Sequence, residues 1–226
     1  SRSGWLHNVI ANKHADAMEA YPEPAVLPRE PGDRQEAQTL SAILPVILEQ
    51  NQFERTWSGA MWQKLKEGTG CYKVVWDKDK QGGLGDIAVE RTNVLNLFWE
   101  PGVSDIQHSR YLFHTELMDR DLLEELYPQC RDKLKGDLFA AKRYSYDDSV
   151  PTDGKCTVVE VYYHLGRVLH YCKYVGDIVL YATENQVEAP TRAVTREGVD
   201  GPVTAEIATG RPVAERGLYD HGKYPF

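Results

Sequence analysis

His164 and His170 are the two side chains in this sequence that come nearest to a metal-binding pair. A zinc centre needs three or four ligands at close spacing. The two histidines instead flank a tight turn, Gly166-Arg167. A two-residue hairpin there sets His170 opposite Tyr163 and His164 opposite Leu169, so they do not converge on one ion. His108, His114 and His221 have no partner at useful spacing and read as structural or surface residues.

Three acidic pairs, Asp119/Asp121, Glu124-Glu125 and Asp147-Asp148, have the chemistry for acid–base work or cation binding. Asp119 is explained as a helix cap and Glu124-Glu125 as a solvated helix face. Asp147-Asp148 alone lacks a local structural role, and it is where a site would lie if the chain were a stand-alone enzyme. Gly82-Gly83-Leu84-Gly85 lacks the Gly-Lys-Ser/Thr ending of a phosphate loop, and strands flank it, so it reads as a hairpin turn. No serine sits in a hydrolase elbow and no cysteine in a nucleophile context. No catalytic, cofactor-binding or metal-binding residue is therefore assigned, and no cofactor is expected.

The elements that would position these groups follow from periodicity. Trp5, Val9, Ile10, His14 and Met18 mark an amphipathic helix. Pro22, Pro24, Pro28 and Pro31 make the next stretch an extended linker. Asp33 with Glu36 predicts a capping box for a helix that runs to Leu65, which Pro45 should kink or split, and which Gly68 and Gly70 end. Strands follow at Cys71–Asp77, with Tyr72, Val74 and Trp76 on one face, and at Asp86–Arg91, Val94–Trp99 and Tyr111–Leu117. A helix carrying Leu122, Leu123 and Leu126 is capped by Asp119 and stopped by Pro128. Cys156 to Ala182 predicts a three-stranded meander turning at Gly166-Arg167 and Gly176-Asp177, with Glu160 opposite Lys173 and Tyr162 opposite Tyr171. From Thr183 to Asp220 the period fades, leaving loops with one short hairpin near Val203–Ile207. The fold class expected is α+β, N-terminal helices packed on antiparallel sheet elements, divided as 1–182 and a loop-rich 183–226.

Composition narrows the function. The 226 residues are 42% hydrophobic and 27% charged, enough for a real core. A net charge of −8 argues against a protein whose task is to wrap nucleic acid, which needs a basic surface. It is compatible with a channel in which DNA must slide without sticking. Cys71, Cys130, Cys156 and Cys172 form no C-x-x-C pair and read as reduced thiols. No apolar run reaches the ~18 residues of a membrane span. The chain opens inside an apparent helix and closes on Tyr224-Pro225-Phe226, so both ends read as cut from a longer protein.

The order of elements carries a resemblance. A helix ending in Gly68-x-Gly70 runs into Lys73-Val74-Val75-Trp76-Asp77, and a Gly-rich turn leads to Asp86-Ile87-Ala88-Val89. Then come Ser104-Asp105-Ile106-Gln107-His108-Ser109-Arg110-Tyr111 and Leu122-Leu123-Glu124-Glu125-Leu126-Tyr127-Pro128. Val158-Val159-Glu160-Val161-Tyr162-Tyr163 follows, with a closing His221-Gly222-Lys223-Tyr224-Pro225-Phe226. This series resembles the N-terminal half of portal proteins of tailed bacteriophages, the type of short-tailed phages and bacterial prophages. Glu100-Pro101 departs from the family's more frequent Asp-Pro, and Gln186–Arg216 fits no pattern of the family.

The resemblance implies a structural protein rather than an enzyme. It implies the wing domain of a dodecameric ring at a capsid vertex, with 183–226 leading toward a stem region. The implied partners are other copies of the chain, capsid, scaffold, terminase and head–tail connector proteins, and DNA passing without specific binding. No membrane is involved, and the implied location is the virion, assembled in the bacterial host cytoplasm. The rival readings are a binding module using Tyr162, Tyr171 and Tyr174 as a contact face, and an enzyme built around Asp147-Asp148.

Overall fold

The computed structural model describes residues 4–19, 21–134, 154–198 and 201–226. Two compact units share the chain: one runs to Val94 and is completed by Pro225–Phe226, the other spans Leu95–Tyr224. Helices accompany antiparallel sheets throughout, so the class is α+β.

The first unit contains α1 (Trp5–Glu19), α2 (Arg34–Gln50) and α3 (Phe53–Glu67), then a hairpin of β1 (Cys71–Asp77) and β2 (Asp86–Thr92). α1 meets α3 through His7 and His14, whose rings stand edge-on to Trp62 at 5.7 and 5.3 Å. Trp5 and Val9, which open the expected apolar stripe, stay exposed.

Two expectations for α2 are corrected. Asp33 does not form a capping box with Glu36. It ends a 3-10 turn, Pro31–Asp33, and its carboxylate accepts the Glu30 N–H at 3.3 Å, one turn earlier than expected. Pro45 does not split the helix either. It sits on the exposed side, where water can serve the carbonyl that loses its partner. The break falls at Asn51-Gln52, where Gln52 takes a left-handed backbone (φ 49°). Asn51 closes α2 there with both its backbone N–H and its side-chain amide on the Ile47 carbonyl.

The same Asn51 ties the helix junction to the outer edge of β2. Its amide also donates to the Ile87 carbonyl, and its oxygen accepts from the Val89 N–H and from Lys80 Nζ at 2.7 Å. An open strand edge is thereby covered. Replacing Asn51 with Ala removes these bonds and leaves partly buried backbone groups unserved, so it should cost about 2–3 kcal/mol. Urea unfolding followed by tryptophan fluorescence reads this, because four of the five tryptophans (Trp5, Trp57, Trp62, Trp76) belong to this unit.

The Gly-rich segment is a turn, as expected. Gly85 has φ +81°, and a Cβ there would fall 2.5 Å from Trp76 Nε1. Tyr72, Val74 and Trp76 do share a face of β1. Tyr72 meets Phe53 at 5.6 Å between ring centroids, but Val74 and Trp76 are 48% and 58% exposed. The buried residues of the hairpin, Lys73, Ala88 and Thr92, lie on the opposite face. Alternation marks a common face without saying which face is covered.

The second unit is organised by a five-stranded antiparallel sheet in sequence order. Its strands are β3 (Leu97–Trp99), β4 (Tyr111–Asp119), β5 (Lys155–Leu165), β6 (Val168–Val175) and β7 (Ile178–Ala182). β5 to β7 are the expected meander, with Glu160 opposite Lys173, Tyr162 opposite Tyr171 and His170 opposite Tyr163. Both turns carry a positive φ only at their first residue, Gly166 and Gly176, the position a type II′ hairpin reserves for glycine. α4 (Arg120–Leu126) and the 3-10 turn Pro128–Cys130 cover one face, burying Leu123, Cys130 and Leu134 against Cys156, Val158, Val175 and Leu180. Asp119 occupies the N-cap position of α4 without a capping hydrogen bond, and its carboxylate lies 3.4 Å from Lys155 Nζ instead.

Beyond the sheet, β8 (Thr191–Gly198) and β9 (Gly201–Ala208) pair as a separate ribbon, much longer than the hairpin expected near Val203–Ile207. The four-residue α5 (Val213–Arg216) follows.

Candidate functional site

β5 is the middle strand of its sheet, so each of its side chains has neighbours on both sides. Cys156, Val158, Glu160 and Tyr162 alternate onto one face, and all four are buried. The first two enter the apolar core. Strand register then places His114 of β4 and Lys173 of β6 directly across from Glu160.

The result is a compact polar cluster. Glu160 Oε2 lies 2.9 Å from His114 Nδ1, and Oε1 accepts the Tyr171 hydroxyl at 2.9 Å, with Lys173 Nζ at 3.7 Å. The side chains of Glu160, His114 and Lys173 are only 7%, 11% and 14% exposed. Burial, followed by the Glu160 charge, pushes the Tyr171 phenol far above its ordinary range, so it remains a donor. Acid, base and phenol are the parts of a catalytic site, but here both carboxylate oxygens are engaged within the sheet. The cluster cross-links three strands.

His114, read from the sequence as structural or surface, is a buried structural histidine paired with Glu160. The signal available in sequence was the alternation Val158–Glu160–Tyr162, which puts a carboxylate on an apolar face where it must find partners.

The other candidates are dispersed. His164 Nε2 lies 2.8 Å from the Gly222 carbonyl and Nδ1 lies 3.0 Å from the Tyr224 hydroxyl. His170 Nδ1 lies 3.1 Å from Thr183 Oγ1, His108 is 3.0 Å from Asp105, and His221 stacks on Tyr219. Glu124 reaches Arg131 at 3.8 Å. Asp147-Asp148 lies outside the described residues. Among the described residues no three His, Cys, Asp or Glu side chains are grouped to hold a metal ion. All four cysteines are free thiols, with Cys130 and Cys156 buried, and burial raises the Cys71 and Cys172 thiols.

A second feature of this unit was invisible to spacing arguments. The backbone N–H and carbonyl of Tyr224 are both bound by the Gln107 side-chain amide, at 3.0 and 3.1 Å. The Tyr224 hydroxyl donates to the Ser109 carbonyl at 2.8 Å. Burial, helped by the Glu100 charge, pushes that phenol up to about 12, so it keeps its proton at neutral pH. Glu100 itself accepts a forked pair of bonds from Arg110, which hold its carboxyl below the usual range. The longer Glu side chain, at the place where Asp was expected, therefore has a partner. Two segments quoted from the sequence, Ser104–Tyr111 and His221–Tyr224, are in this way joined to each other.

No helix among the described residues is long and apolar enough to cross a membrane. Comparison with known proteins gives one family match, to a model described as phage P22-like portal protein, over residues 15–201. No curated protein matches the chain.

Proposed function

The chain belongs to the phage P22-like portal protein family, whose members are structural rather than catalytic, and from that premise we propose that it forms the wing of a portal ring at one capsid vertex. The observation that carries this reading is the family match, which spans both units. The proposed ring is a dodecamer of identical chains. It admits DNA during packaging, releases it on ejection, and docks the terminase on one side and the tail connector on the other. Capsid and scaffold proteins surround it, and it is assembled in the host cytoplasm before becoming part of the virion.

Residues 1–182 would supply the wing, and 183–226 would lead toward the stem. The net charge of −8 supports this reading, since a conduit for DNA works better with an acidic balance than with a surface that binds phosphates. The internal engagement of Glu160, His114 and Tyr171 supports a structural use for the most catalytic-looking group among the described residues.

Negative-stain electron microscopy of the protein expressed from its complete reading frame tests the proposal. Rings with a central hole and twelvefold views are the expected result. Monodisperse small particles at micromolar concentration would overturn it.

A further inference from the structure

The proline linker that precedes α2 does not trail in solvent. Ser41 on α2 holds it through Val26, accepting the Val26 N–H at 2.9 Å and donating to its carbonyl at 3.3 Å. Tyr21 anchors its start, with its ring 6.2 Å from Phe53 and 6.3 Å from Trp57. Between the pinned linker and the α2–α3 junction lies a groove of about 570 Å³. That is within the ~300–1,000 Å³ range of preformed ligand sites.

Tyr21, Pro24, Leu48 and Phe53 give the groove apolar and aromatic walls. Glu23, Glu49 and Glu54 stand along it, and no Lys, Arg or His lines it. None of these three carboxylates has an ion-pair partner among the described residues. Burial, followed by the Glu54 charge, raises the Tyr21 phenol.

We propose that this groove is a docking site for a basic, apolar peptide segment of a partner protein, with an arginine or lysine held against Tyr21 and Phe53 and between the carboxylates. Each part of that ligand has its counterpart in the groove. Aromatic faces attract a cation through the ring quadrupole. Three carboxylates without cations complement a positive charge, and Leu48 with the prolines takes the flanking apolar side chains. An anionic or neutral apolar ligand would leave the carboxylates uncompensated. The groove lies within one unit, so peptide binding can be lost while rings form, or be present where they do not.

The test uses the 226-residue chain and a capped five-residue peptide alternating leucine with arginine, with citrulline in place of arginine as its neutral twin. Isothermal titration should give a dissociation constant in the range of about 0.1–1 mM for the arginine peptide, as suits a small exposed site. Glu49→Gln and Glu54→Gln should each weaken it about threefold, the size of one exposed charge contact. Glu36→Gln, an equal charge change elsewhere on α2, should leave it unchanged. Equal binding of the citrulline peptide, or an equal loss in Glu36→Gln, would overturn the proposal. So would self-association of the chain that the groove variants abolish and the peptide does not displace, since the occupant would then be a second copy.

Discussion

Replacing Glu160 with Ala should destabilise the five-stranded sheet by about 3–5 kcal/mol, the cost of removing one partner from a buried charged group. The size follows from what stays behind. Lys173 and His114 keep side chains that are 14% and 11% exposed, and Tyr171 keeps a hydroxyl whose acceptor has gone. A largely covered ammonium without its counter-charge is the largest part of the loss. Glu160→Gln should cost less, because an amide oxygen can still accept from Tyr171 while offering Lys173 no charge. Pairing Glu160→Leu with Lys173→Met should recover most of the stability, since apolar residues of similar size replace a buried ion pair at little cost. Urea unfolding followed by circular dichroism gives the free energies, and hydrogen exchange in β4, β5 and β6 locates the effect. A loss below about 1 kcal/mol for Glu160→Ala would mean that the carboxylate is served by solvent and that the cluster is no cross-link.

The second large effect is expected at Gly217. Its backbone has φ +82° and ψ −171°, a region open to glycine and strained by about 1–3 kcal/mol for other residues. There is no room for a side chain either, since a Cβ would lie 2.5 Å from the Leu169 carbonyl oxygen and 2.7 Å from Val168 Cγ1. That carbonyl also accepts the Leu218 N–H at 2.8 Å. Gly217→Ala must therefore move the chain off β6 and break this bond. The segment from Leu218 to Tyr224 then keeps its bonds at the far end, from Gly222 and Tyr224 to His164, Gln107 and Ser109. Trypsin cleavage after Arg216 should accelerate by at least about tenfold, as 1.4 kcal/mol of easier local opening gives. Unchanged cleavage would show that the segment is not held by its contact with β6. If this segment leads toward a stem, as proposed, its attachment to the sheet fixes where that path begins.

The sequence by itself determined the elements with strong local periodicity. The β5–β6 hairpin of the meander was legible to the residue, because a two-residue turn set by Gly166 leaves one register for Glu160–Lys173 and Tyr162–Tyr171. Gly68, with φ +87°, closes α3 where a helix-ending glycine was expected. The order of these elements was enough to indicate the portal family.

What only the tertiary structure decided is where separate segments meet. β3 and β4 were each readable as strands, yet their addition to the meander depends on pairing across long stretches of chain. The break of the α2–α3 run moved from Pro45 to Asn51 because Asn51 gains partners on β2, and a local rule cannot see those partners. Which residue partners His114 was hidden for the same reason, since Glu160 is 46 residues away in sequence and one strand away in space. The ribbon of β8 and β9 was foreseen only as a short hairpin near Val203–Ile207, because Thr, Arg, Glu, Ala and Gly in this stretch give little alternation of apolar and polar residues. Periodicity records how a segment meets water, whereas partner choice is a free energy of the folded chain that no single segment carries.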